Sequence, residues 1–240
     1  MKILQNTNLN QNNFKSRLNP IKPFTYKTSA GNLRIYEPSE KEIQDSNFIP
    51  KMVDFFFKNF KSYTKGPYWL KFNNAEFADE FRKFKALYYP IYENLFNNDD
   101  GHLTILLAKN EKQEICGGCL SYSFDEVPSA KDTTLYIDSL AVNKEYHKFG
   151  LGKILLEKSI DAGEKHFTDV FLYGEKLAEI FYKMLGFKPL NPEQKSQKTV
   201  IDYIAKQRSD YPDYVILFQK PLQLDKIRWY TLSANAIDNK

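Results

Sequence analysis

Alternating and helically spaced apolar residues divide the chain into elements before any motif is considered. Asn32-Leu33-Arg34-Ile35-Tyr36 alternates as a strand, and Pro38-Ser39-Glu40 reads as a helix start with Ser39 as its cap. Ile49, Met52, Val53, Phe56, Phe57 and Phe60 recur at helical spacing. A second helix is predicted near Ala75 to Tyr89, followed by a break at Pro90 and a further segment from Ile91 to Phe96. Asn97 to Gly101 is a turn by composition. Leu103–Ala108 and Ile115–Tyr122 read as strands flanking the hairpin loop Asn110–Gln113, and Asp125 to Asp132 is a polar loop. Leu135 to Val142 is apolar enough for a buried strand, and Leu151, Ile154, Leu155 and Ala162 then repeat with the helical period. Asp169–Tyr173 is a short strand. After a polar stretch from Asn191 to Thr199, Val200–Lys206 reads as a short helix and Tyr214–Phe218 as a last strand ended by Pro221. A hairpin meander followed by strand, turn, helix, strand and helix predicts an α/β fold with mixed pairing.

The junction between Leu135–Val142 and the following helix carries the first candidate chemistry. It reads Val142-Asn143-Lys144-Glu145-Tyr146-His147-Lys148-Phe149-Gly150-Leu151-Gly152-Lys153. A strand turning through glycines into a helix leaves the first helical N–H groups unpaired at the positive end of the helix dipole. Gly150 and Gly152 allow close backbone approach, and Lys144, Lys148 and Lys153 add positive charge. The junction therefore reads as a pyrophosphate site. It is not a nucleotide P-loop, because the glycines are too close together and Ile154 follows Lys153 where Ser or Thr is required. It is not a dinucleotide fingerprint either, because Leu155 stands at the third glycine position.

His147-Lys148-Phe149-Gly150-Leu151-Gly152 resembles the acetyl-CoA turn [QR]-x-x-G-x-[GA] of the GNAT superfamily of N-acetyltransferases, with His at the first position. Ala178-Glu179-Ile180-Phe181-Tyr182-Lys183-Met184-Leu185-Gly186-Phe187 is similar to the family's A-x-x-F-Y-x-x-L-G-F segment, in the expected order and separation. The resemblance covers about residues 31–222, read as one domain between a polar N-terminal arm (1–30) and a C-terminal tail (223–240). It implies a mixed, mostly antiparallel sheet flanked by helices, with a V-shaped splay between the fourth strand (Leu135–Val142) and the fifth (Asp169–Tyr173).

The resemblance also implies the site. Main-chain amides around Leu140, Ala141 and Val142 would hold the pantetheine arm and the thioester carbonyl. Those of His147, Lys148, Phe149, Gly150, Leu151, Gly152 and Lys153 would hold the pyrophosphate of acetyl-CoA. Tyr182 would protonate the departing thiolate. Some relatives carry a Glu on the central strand where Tyr136 stands here, so Asp138, two residues on and expected on the same face, becomes the candidate base. Glu175, standing where the family often has Asn, and Glu179 are weaker candidates. His147 reads as a phosphate contact rather than a base, and His166 as a helix C-terminal cap. The first two helices of the family form one wall of the acceptor site, which Tyr68, Trp69, Phe72, Tyr88, Tyr89 and Tyr92 could line. The alternative to an enzyme is an acyl-CoA-binding module without chemistry, serving as sensor or partner.

Composition narrows the setting. Hydrophobic residues make up 42% and charged residues 27%, as in ordinary globular domains, and a net charge of +4 is too small to argue for nucleic acid. No apolar run approaches a membrane span. Met1 to Asn13 lacks the apolar core of a secretory signal, which points to the cytoplasm. Cys116-Gly117-Gly118-Cys119 reads as strand residues on opposite faces or around a bulge rather than as a metal or redox pair, so no metal is expected. The expected partner is a small-molecule or peptide amine. A homodimer is common in the resembled family.

Overall fold

The computed structural model describes residues 20–60, 103–123, 134–163, 167–175, 178–189 and 215–221, with positions 79, 82, 85, 86, 89, 90 and 93. Its first strand lies where the sequence predicted the end of a polar arm. In β1 (Phe24–Thr28), Phe24, Tyr26 and Thr28 are half-buried while Thr25 and Lys27 are exposed. This two-residue period is a strand signal, masked by the polar residues on either side. β1 doubles back antiparallel onto β2 (Gly31–Tyr36), placing Tyr26 opposite Leu33. The remainder of the predicted arm (1–19), the short helix expected near 200–206 and the tail beyond 221 lie outside the described residues.

α1 (Glu40–Ile43) starts where predicted. The Ser39 hydroxyl accepts from the Glu42 amide, and the Glu42 carboxylate accepts from the Ser39 amide. This reciprocal pair satisfies two otherwise orphaned donors. α2 (Phe48–Phe60) buries Met52, Val53, Phe56 and Phe57 along the predicted face. Positions 79, 82, 85, 86 and 89 are helical, as the second predicted helix requires. Pro90 is helical too, rather than a break, since its fixed φ lies within the helical range.

Eight strands of the described residues form one sheet in the order β1-β2-β3-β4-β5-β6-β8-β7. The remaining strands are β3 (Leu103–Lys109), β4 (Ile115–Ser123), β5 (Thr134–Val142), β6 (Asp169–Glu175), β7 (Lys188–Pro189) and β8 (Val215–Pro221). All pairs are antiparallel except β5–β6. The sheet is mixed and mostly antiparallel with helices on both faces, as the resemblance implied.

Two apolar clusters occupy the two faces. Tyr36, Ile105, Leu107, Leu120 and Ala141 meet Met52, Val53, Phe55 and Phe56 of α2. Leu33, Ile35, Leu106, Cys119, Leu135 and Ile137 meet Leu151, Leu155, Leu156 and Ile160 of α3 (Leu151–Gly163). Each fully buried leucine contributes roughly 1.5–3 kcal/mol. Because Leu151 is the first residue of α3 and is 1% exposed, this packing pins the start of the helix to the sheet. The helices approach closely because β4 carries Gly117 and Gly118 where they cross it. A Cβ at Gly117 would lie 2.8 Å from Leu155 Cδ1, and one at Gly118 would lie 3.2 Å from Phe56 Cζ.

Two bulges set which side chains face which helix. Ala108 pairs with Gly117 and Lys109 with Ile115, so Cys116 is an extra residue in β4. Cys116 and Cys119, both buried free thiols, consequently share the α3 face. Leu120 pairs with Ser139 and Ser121 with Ile137, which makes Asp138 the extra residue in β5.

Candidate active site

The predicted anion turn is built on local hydrogen bonds. At the end of β5 the Asn143 amide donates to the Cys116 carbonyl (2.8 Å), and the Asn143 side chain accepts from the Glu145 amide. A single 3-10 turn, Lys144–Tyr146, follows. The His147 ring then turns back so that Nε2 lies 2.9 Å from the Val142 carbonyl. A carbonyl only accepts, so Nε2 carries the proton. His147 therefore ties the turn to the end of β5; the phosphate contact read for its side chain is replaced at Nε2 by this main-chain bond.

Beyond His147 the backbone enters the left-handed region at Lys148 (φ 70°) and at Gly150 (φ 75°). Glycine takes this conformation freely, whereas a lysine is strained there by roughly 1–2 kcal/mol. Lys148, Gly150 and Lys153 are exposed, and Phe149 and Gly152 are half-buried. The first helical bond of α3 runs from the Ile154 amide to the Gly150 carbonyl (3.1 Å), so the Leu151, Gly152 and Lys153 amides have no acceptor within the helix. Lys153 lies 3.8 Å from Glu157 with more than half its side chain exposed, and its charge stays at the mouth of the turn.

The expected splay lies beside this turn. β5 and β6 pair only from Thr134–Asp169 to Ile137–Leu172. Beyond Ile137, among the described residues, β5 keeps its β4 partner and has no strand on the other side. Since the Asn143 amide faces β4, alternation turns the Ala141 main-chain groups toward β4 as well. Those of Leu140 and Val142 point into the split. The Val142 carbonyl takes the His147 ring, which leaves the Leu140 and Val142 amides as the strand donors facing the opening.

Asp138 sits where the split begins, but not as the sequence predicted. The bulge at Asp138 changes the parity of β5. Leu135 and Ile137 face α3 before it, Leu140 and Val142 after it, and Ala141 joins the α2 side. Tyr136, buried and edge-on to Tyr122 at 5.4 Å, lies on the α2 side. Asp138 therefore does not share its face. The Ser139 hydroxyl donates to its Oδ2 (2.7 Å), and its charge acts on the buried Cys119 thiol. Burial pushes that thiol up to about 12; the Ser159 hydroxyl opposes the shift and the Asp138 charge adds to it.

α4 (Glu179–Met184) carries Tyr182 to the same end of the sheet. Gly186 (φ 85°) closes the helix, with its amide on the Lys183 carbonyl (3.0 Å) and the Phe187 amide on the Tyr182 carbonyl (3.1 Å). This paired closure brings residues two past the cap against the last turn. Tyr182 is buried edge-on between Phe181 (5.2 Å) and Phe187 (5.9 Å). Phe181 in turn reaches the anion turn, since a Cβ at Gly152 would lie 3.6 Å from its Cζ. Glu179 is ion-paired with Lys183. His166 and the Glu175 side chain lie outside the described residues, as do Tyr68, Trp69, Phe72, Tyr88 and Tyr92.

A groove of about 720 Å³ opens between α2 and the β3–β4 turn, beside Asn143. Its carboxylates, Glu42, Asp45, Asp54 and Glu114, are matched by Lys51, Lys58, Lys109 and Lys144. Glu42 pairs with Lys109 and Asp54 with Lys85. Counted over the described residues, the groove therefore presents no net sign of charge to an acceptor.

The Acetyltransferase (GNAT) family model matches residues 67–187, and the chain belongs to that family. Acetyl transfer is the family's general activity. Among solved structures the chain is similar to a GNAT-family acetyltransferase from Staphylococcus aureus Mu50, with 19% identity over 80% of this chain and 99% of that one and a TM-score of 0.49. It is similar to a protein of Pyrococcus horikoshii OT3 at 14% identity over 79% and 98% of the two chains, with a TM-score of 0.50. The PaiA N-acetyltransferase from Thermoplasma acidophilum, solved in complex with coenzyme A, matches at 15% identity over 79% and 98%, with a TM-score of 0.49. The Pyrococcus horikoshii likeness, at a TM-score of 0.50, is one of fold alone. No curated protein matches the chain.

Proposed function

We propose that the chain transfers the acetyl group of acetyl-CoA to a primary amine by direct attack on the thioester. The observation that carries this reading is the exposed turn at the start of α3. Its amides, without an acceptor within the helix, lie beside the β5–β6 split, and the helix bearing Tyr182 packs against it. Gly152 supports the fit. A Cβ there would meet Val142 and Phe181 only at ordinary contact distances, 3.5 and 3.6 Å, so the fold itself does not demand glycine. A ligand approaching the main chain would, and Ala is the one substitute the family's motif admits.

The Gly150–Lys153 end of α3, with Lys148 and Lys153, holds the diphosphate. The Leu140 and Val142 amides orient the pantetheine arm and donate to the carbonyl oxygen as it gains charge. The amine nitrogen forms a bond to the carbonyl carbon, and the carbon–sulfur bond breaks. The amine's proton passes to Asp138, directly or through a water, and the thiolate takes a proton from the Tyr182 hydroxyl. A free alkyl amine has a pKa of about 10.4, so removal of its proton is a real barrier near neutral pH.

CoA release over a panel of amines tests the proposal. Tyr182→Phe should lower kcat about a hundredfold or more while CoA affinity is kept, and Asp138→Asn should do the same. Unchanged turnover removes the residue from its role. CoA binding without release on any amine favours a module without chemistry.

A further inference from the structure

No site residue was expected on the N-terminal hairpin, yet one of its side chains reaches the anion turn. The Tyr26 hydroxyl donates to the Phe149 carbonyl at 2.7 Å, across 123 residues of chain. The Tyr26 ring packs on the α3-side cluster, and β1 is held to β2 along its whole length. A second observation fixes the same contact from the other side. At Gly150 (φ 75°) a Cβ would lie 2.9 Å from the Tyr26 oxygen, so the turn and the hydroxyl are fitted to each other.

We infer that Tyr26 is a positioning residue for the cofactor's diphosphate, which makes β1 part of the acetyl-CoA site. The reasoning rests on the proposed function and on the geometry of one peptide. In a planar trans peptide the C=O and the following N–H point in opposite directions. With the Phe149 carbonyl drawn inward onto Tyr26, the Gly150 N–H is aimed outward, beside the acceptor-free amides of α3. Gly150, left-handed at one end of this peptide, leaves it free to rotate once the bond is lost. A rotated peptide presents a carbonyl to the anion where a donor stood. Tyr26 therefore acts before binding, by keeping the donor side of the turn outward.

The test is calorimetric titration of CoA into the full chain as wild type, Tyr26→Phe and Thr28→Val. Thr28 lies on the same strand, and its hydroxyl bonds the Gly31 carbonyl (2.8 Å) inside the hairpin rather than the turn, so it reports on strand fraying alone. Tyr26→Phe should weaken CoA about five- to tenfold, the size of one lost hydrogen bond and a rotated neighbour. KM for acetyl-CoA should rise by the same factor, with kcat and the acceptor's KM held within about twofold. Thr28→Val should leave CoA affinity unchanged. Equal CoA affinity in wild type and Tyr26→Phe overturns the role of Tyr26, as does an equal loss in Thr28→Val. No binding by wild type overturns the cofactor reading and this inference with it.

Discussion

Gly117→Ala probes the packing that presents the anion turn. The new methyl would sit 2.8 Å from Leu155 Cδ1 and 3.0 Å from Leu151 Cδ2. Carbon atoms pack best at about 3.5–4.0 Å, so α3 must rise by the better part of an ångström, or two leucines exposed by 1% or less must change rotamer. Overpacking of this kind costs about 1–3 kcal/mol. At about 2–4 °C per kcal/mol for a chain of this size, Tm should fall by roughly 2–12 °C. Gly118→Ala faces the other helix and meets Phe56 at 3.2 Å and Leu107 and Phe55 at 3.5 Å. A few tenths of an ångström suffice there, and the lower chain entropy of alanine offsets about 0.5–1 kcal/mol. The two adjacent variants should therefore differ clearly in urea denaturation, with only Gly117→Ala also weakening CoA, because it displaces Leu151 and the turn before it. Equal midpoints for the two variants, or a Gly117→Ala protein as stable as wild type, would refute the reasoning.

Two further outcomes follow from the groups around the sheet. Burial works against the Glu42 carboxylate, but the Ser39 amide, the Tyr36 hydroxyl and Lys109 together hold its pKa below the usual carboxylate value. Its contribution is thus present above the unfolded carboxylate pKa and is lost as pH falls through the depressed folded value. Glu42→Gln keeps the capping geometry, so it should cost up to about 1 kcal/mol at pH 7 and much less near pH 3; an equal cost at both would count against the charge. Cys116 and Cys119 are buried with thiols raised chiefly by burial, so neither should alkylate at pH 8 until urea unfolds the chain, and rapid native labelling would contradict their placement.

What the sequence disclosed was what short-range pattern encodes. The G-x-G turn, the α3 face, the Ser39 cap and the Phe-Tyr helix ending in Leu-Gly-Phe each depend on residues within one or two turns of each other. What it hid depends on register. Nothing in Tyr136-Ile137-Asp138-Ser139 marks which residue is extra, yet the bulge takes Asp138 out of the alternation that would have put it on one side with Tyr136. The place of His147 on the anion turn suggested a phosphate contact, while Nε2 of its ring finds a partner five residues back in the Val142 carbonyl. Tyr26 was missed because its strand is five residues long and adjoins polar sequence; the alternation of Phe24, Tyr26 and Thr28 was the available signal.

The central claim is that the main chain of the α3 turn grips the diphosphate, and glycine-selective ¹⁵N labelling reads it directly. The chain has 10 glycines, so the amide spectrum is sparse, and Gly152→Ala together with Gly150→Ala assigns the two peaks that matter. Addition of CoA should move the Gly150 and Gly152 amide resonances downfield, as expected for new charge-assisted hydrogen bonds, while Gly31, remote on the β1–β2 hairpin, stays in place. CoA that binds without moving either resonance, or that does not bind, would contradict the account.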